Sequence, residues 1–144
     1  MIAFSRPFWP LFFHILGGMV LFGALLTAVI TALVAGQSPE RPVLRRAAFT
    51  SLVIGIPAFV VFRIAAQIIY SDEKDIFGGK DPTWIGIGFF VTDPGLLVFL
   101  AAIACGYWWL RTGKPLAARL VAGLSSVYIL LLAIAWLAMS GKWN

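Results

Sequence analysis

The chain holds one cysteine and one histidine among its 144 residues. A single cysteine, Cys105, excludes a disulfide within the chain and a CxxC redox pair, and leaves the compartment open. One histidine and one cysteine cannot build a structural metal site, which takes about four such ligands. A bis-histidine haem would need its second ligand from another chain. Charge is scarce too: 12% of residues are Asp, Glu, Lys or Arg, against about 25% in soluble domains. No phosphate loop, GxSxG elbow or HExxH helix occurs, and the last apolar run offers Ser125 and Ser126 no base. The chain is therefore not expected to be an enzyme. The formal charge is +5, but the bases stand in short stretches beside apolar runs. No basic patch is interleaved with aromatics, so nucleic acid is excluded as a partner.

What is plentiful is apolar. Hydrophobic residues make up 61% of the chain and the mean hydropathy is +0.96. A soluble domain of this size could not bury so much apolar surface. Four apolar runs stand at about 11–35, 47–69, 84–110 and 120–139. Each has the roughly 20 residues that cross a hydrocarbon core of about 30 Å. The expected fold is an all-α membrane protein, a bundle of four transmembrane helices forming one domain over residues 1–144. The lead-in MIAFSRPFWP has the make-up of an interfacial anchor, with Arg6, Trp9 and two prolines. It is not expected to be a signal peptide, since the run behind it is too long and no small-residue cleavage pattern follows.

Within the first run Gly23, Thr27, Thr31 and Ala35 recur at every fourth residue, as do Ala24, Ala28 and Ala32. Small residues at that spacing let another helix backbone come close, here within the chain rather than at a dimer seam. Pro39 and Pro42 are expected to stop the first helix. Pro57 inside the second run frees the Val53 carbonyl and favours a kink. The aromatic pairs Phe12–Phe13, Phe89–Phe90 and Trp108–Trp109 are expected to face lipid or its boundary, and Trp143 suits the interface.

Orientation follows from the connecting stretches. The first and third carry Arg41, Arg45, Arg46, Arg111, Lys114 and Arg119 against a single acid, Glu40. The middle one carries Asp72, Glu73, Asp75 and Asp81 against Lys74 and Lys80. By the positive-inside rule the basic stretches face the cytoplasm, and both termini and the middle connection lie outside.

Two ionisable residues interrupt the apolar runs. Counting about 20 residues per core from the cytoplasmic boundary, Arg63 on the second span and Asp93 on the third lie roughly 7 Å below the outer boundary. Consecutive spans pack antiparallel, so the two can meet. Gln67 stands one turn above Arg63, and His14 is near the outer boundary of the first span. His14, Arg63, Gln67 and Asp93 thus form the candidate intramembrane polar cluster, since ionisable groups in a span tend to be paired and to face the bundle. Plainer readings stay open. Arg63 snorkels to the headgroups, His14 is an ordinary interfacial histidine, and Asp93–Pro94 is a helix start with the acid as cap. The favoured reading keeps Asp93 inside a third helix that is broken or kinked at Asp93–Pro94. No catalytic residue, cofactor or metal is expected; His14 alone offers itself to a metal.

The stretch FFHILGGMVLFGALLTAVI, with His14 followed by Gly17, Gly18 and Gly23, resembles the opening helix of small bacterial membrane proteins of unassigned function. These are distantly similar to the copper-resistance D membrane family. WIGIGFFVTDPGLLVFL and the ending MSGKW likewise resemble actinobacterial four-span membrane proteins of this size. The resemblance implies a multi-pass protein of the bacterial inner (plasma) membrane. The wider copper family implies metal transport or binding, which only His14 could carry here. Two function classes follow. One is a structural or accessory subunit whose helices are fixed by an Arg63–Asp93 pair, with the lipid bilayer and other membrane subunits or a homo-oligomer as partners. The other is a small transporter, or a haem-, quinone- or metal-binding protein, with its polar site near the outer leaflet.

Overall fold

The structure, a computed structural model, describes residues 8–37, 41–78 and 80–141. The expected interfacial residues Arg6 and Trp143, and Pro39 of the first connection, lie outside these residues. Four helices follow one another: α1 (Phe8–Gln37), α2 (Pro42–Glu73), α3 (Thr83–Thr112) and α4 (Pro115–Gly141), with one 3-10 turn at Lys74–Phe77. The described residues contain no strand. All four helices are long and apolar enough to cross a membrane. The shortest has 27 residues and the longest 32, about 40–48 Å at 1.5 Å per residue. Each helix therefore outreaches a hydrocarbon core of about 30 Å.

The helices also outrun the apolar runs, and proline explains part of the difference. Pro42 does not stop a helix; it stands in the first turn of α2, where its missing N–H costs nothing and its fixed φ favours the helix. Pro115 opens α4 in the same way. Arg45, Arg46 and Arg119 consequently stand on helical turns rather than in loops. α3 closes on Gly113, whose φ of 66° is left-handed and whose N–H donates to the Trp109 carbonyl at 2.8 Å, a glycine C-cap. α3 is helical without interruption through Asp93 and Pro94. Asp93 thus lies well inside a helix, and the helix-start reading is overturned.

The short connections turn each helix back on the one before. Arg63 meets Asp93, and the space beside Gly55 is filled by Phe99 and that beside Gly106 by Leu52, the register of an antiparallel α2–α3 pair. α1 packs on α2 and α4, α3 packs on α2 and α4, and the pairs α1–α3 and α2–α4 stand diagonally apart. The α1–α2 seam is the most extensive and the α2–α3 seam the least. The basic residues at 41–46 and 111–119 gather at one end of the bundle, and the acidic stretch 72–81 at the other.

The core is built of Leu21, Leu25, Leu52, Phe59, Val91, Phe99, Val121 and Tyr128, with alanines between them. Ala24, Ala28, Ala32 and Ala35 are buried, whereas Gly23 and Thr27 of the neighbouring stripe are exposed. Thr27 and Thr31 turn their hydroxyls back onto their own helix, to the Gly23 and Thr27 carbonyls at 2.8 and 2.7 Å. The alanine stripe is the packing face. Trp109 corrects a second expectation: it is 3% exposed and belongs to the core.

Candidate functional site

Three of the four polar residues come together at the α2–α3 seam. Arg63 Nε donates to Asp93 Oδ1 at 3.2 Å, and Nη1 donates to Gln67 Oε1 at 2.9 Å, one turn along α2. The guanidinium also lies over the Phe89 ring, 5.1 Å from its centroid, a cation–π arrangement that favours Arg. Phe89 is in turn met edge-on by Tyr70 at 5.2 Å, and the Tyr70 hydroxyl donates to Asp81 Oδ2 at 2.8 Å. The Thr92 hydroxyl is 3.1 and 3.2 Å from the Gly88 and Phe89 carbonyls and 3.4 Å from Asp93 Oδ1. A ladder of polar and aromatic contacts therefore runs from Asp93 up to the connection at the acidic end.

The ladder is open to the outside. Asp93 is 58% exposed and Arg63 26% exposed even while paired, and Gln67 is exposed. The pair faces away from the bundle core, along the surface that a bilayer would cover. That differs from the expectation that intramembrane charges face the bundle, and the reason is positional. Val91, Thr92 and Gly95 take the inward face of α3, and successive helical residues project about 100° apart, so Asp93 is turned outward.

His14 lies on another seam. Its Nδ1 is 3.2 Å from the Phe62 carbonyl, to which it donates, and its ring stacks on Phe62 with centroids 4.4 Å apart. Phe62 and Arg63 are adjacent on α2 and point to different neighbours, α1 and α3. Among the described residues no hydrogen bond links His14 to the other three, and no group of three or more His, Cys, Asp or Glu could hold a metal ion.

Tyr70 follows Gln67 by about one turn on the Arg63 face and is legible from helical spacing, whereas Phe89, Thr92 and Asp81 are not placed with the cluster by the sequence. Phe89 had been assigned with Phe90 to lipid; Phe90 is exposed, but Phe89 is half-buried beneath Arg63. The spacing of Phe89 to Asp93, one helical turn, was the available signal. A second omission is on α4. Ser125 and Tyr128 are fully buried, and among the described residues neither hydroxyl has a hydrogen-bond partner. Tyr128 stacks on Phe99 at 5.8 Å and fills the space beside Gly95.

Compared with known proteins, the chain matches no family model, no curated protein and no solved structure. The functional reading therefore rests on the chain's own residues.

Proposed function

We propose that this small membrane protein serves as a structural or accessory subunit of a bacterial plasma membrane, without catalysis of its own. The observation that carries the reading is the Arg63–Asp93 contact at 3.2 Å, which ties α2 to α3 along the least extensive seam of the bundle. A charged pair placed there fixes the relative height of two helices that apolar packing alone holds loosely. The charges at the helix ends support an orientation with the basic end in the cytoplasm and both termini and residues 74–82 outside. Pro94 bends α3 in this reading, because it cannot donate to the Phe90 carbonyl. The resemblance to small bacterial four-span proteins is carried by the first and third spans and the ending MSGKW; copper handling is not part of the proposal, since His14 is the sole histidine.

The second class, a transporter or a haem, quinone or metal protein, draws less support. Its residues lie on two seams, with His14 against Phe62 and the other three open to the bundle exterior. Purified protein measured by absorption spectroscopy and metal analysis separates the classes. An accessory subunit shows no visible absorption band and no stoichiometric metal. A haem spectrum or one bound metal per chain overturns the reading.

A further inference from the structure

The Arg63–Asp93 pair is left uncovered where covering matters most. Ionisable groups at membrane depth ordinarily face protein or a water-filled cavity, yet this pair opens outward from the shallowest seam of the bundle. Around it lies an apolar surface made by Ile56 and Val60 of α2 and by Phe90, Leu97 and Leu100 of α3, all exposed, with Leu97 at 70%.

The charges on this face define what fits it. One positive and one negative group stand side by side at the same height, since they touch across antiparallel helices. Copies of one chain share a single orientation in the membrane, so two of them facing each other are related by a two-fold axis along the membrane normal. That rotation sets Arg63 of each copy opposite Asp93 of the other. The patch is its own complement. An anionic lipid headgroup fits it less well, because the paired site offers no net charge. We infer that a second copy of this chain docks on the α2–α3 face, closing the two pairs into a four-membered ring of alternating charge within the bilayer. The inference rests on the reading of α2 and α3 as bilayer spans.

Membrane vesicles containing the full chain in a Cys105→Ala background supply the test. The two-fold sets α2 of each copy against α3 of the other, so differently tagged chains are co-expressed as Ile56→Cys with Leu100→Cys, or as Val60→Cys with Leu97→Cys. Single Met19→Cys and Trp136→Cys, both 69% exposed, mark α1 and α4. A copper–phenanthroline oxidant then reports which positions meet. Mixed disulfide-linked dimers are expected for 56 with 100 and for 60 with 97, and no dimers at 19 or 136. Chain in the membrane fraction with no mixed dimer for either α2–α3 cysteine pair overturns the inference alone, whether the face meets lipid or a different protein. Dimers at 19 or 136 instead overturn it in favour of another face. Chain absent from the membrane fraction overturns the reading beneath it.

Charge exchange adds a test that a pair confined to one chain would fail. Arg63→Asp makes the patch doubly negative and Asp93→Arg makes it doubly positive, so each alone loses its dimer. Co-expressed with different tags, the two variants are expected to be recovered as a mixed dimer. The double variant Arg63→Asp/Asp93→Arg restores one charge of each sign and regains the homodimer, which separates lost docking from lost folding. Mixed pairs no more abundant than the homodimers of either single variant overturn the ring.

Discussion

A methyl group added at position 17 would stand 2.8 Å from the Phe62 amide nitrogen and 2.9 Å from the Ala58 carbonyl oxygen. Both are main-chain atoms of α2 and neither can swing aside. Gly17→Ala is therefore expected to cost about 1–3 kcal/mol through overpacking, more than the gain in helix propensity of up to about 1 kcal/mol returns. Position 23 has open space around it, so Gly23→Ala keeps that gain. Thermal unfolding in detergent should rank Gly17→Ala below wild type and Gly23→Ala at or above it; equal midpoints for the two variants would refute the close α1–α2 approach. His14 allows a second comparison. His14→Phe keeps a ring against Phe62 and removes one interhelical hydrogen bond, which in membrane proteins averages about 0.6 kcal/mol. His14→Ala removes both. The expected order of stability is wild type, His14→Phe, His14→Ala, and a phenylalanine variant less stable than the alanine one would contradict the stacking.

The element scale is where the charged pair acts. Leucine at position 63 leaves a carboxyl group that a proton neutralises, whereas leucine at 93 leaves a guanidinium that stays charged. Arg63→Leu should be the milder change, and the double variant should recover stability relative to Asp93→Leu. Coupled neighbours give interaction energies of about 0.5–3 kcal/mol. The low end applies here, because the contact is a single Nε–Oδ1 bond and Asp93 is 58% exposed. A double-mutant cycle by thermal unfolding, in detergent and again in lipid nanodiscs, measures it; losses that add within about 0.3–0.5 kcal/mol in both media would remove the pair as a stabilising contact. The helix ends carry a separate prediction. Ser71 and Thr112 are exposed at opposite ends of the bundle. In a Cys105→Ala background, Ser71→Cys should react with an impermeant thiol reagent on intact cells and Thr112→Cys should not. The reverse pattern would invert the orientation and put the polar ladder on the cytoplasmic side.

At the scale of the whole molecule, the exterior is apolar along all four helices, with Trp9, Met19, Leu97 and Trp136 among the most exposed side chains. A surface of that kind in water would associate without limit, since monomeric soluble proteins expose apolar patches of only about 300–600 Å². The chain should sediment with membranes, resist alkaline carbonate and be released by detergent. Recovery in the soluble fraction would remove the bilayer from the account altogether. The interior is alanine-rich, and close approach of helices through small residues replaces the hydrophobic driving force that lipid does not supply.

Composition and the four apolar runs were enough to determine an all-helical chain with four candidate spans, because a backbone in hydrocarbon must satisfy its own hydrogen bonds. Arg63, Gln67 and Asp93 were also legible as a group, since helical rise alone places Arg63 and Asp93 at one height and Gln67 one turn above them. Depth along a helix is a one-dimensional quantity, and a sequence carries it. Direction around a helix depends on which neighbours it has, and only the tertiary structure decided that. The order of packing put His14 on the α1–α2 seam, took Trp109 into the core, and buried Ala24, Ala28 and Ala32 of α1 while leaving Gly23 and Thr27 of the neighbouring stripe outside. It also turned Asp93 outward while Thr92 and Gly95 were buried. Each of those outcomes is a rotation of about 100° per residue read against helices that are distant in the chain.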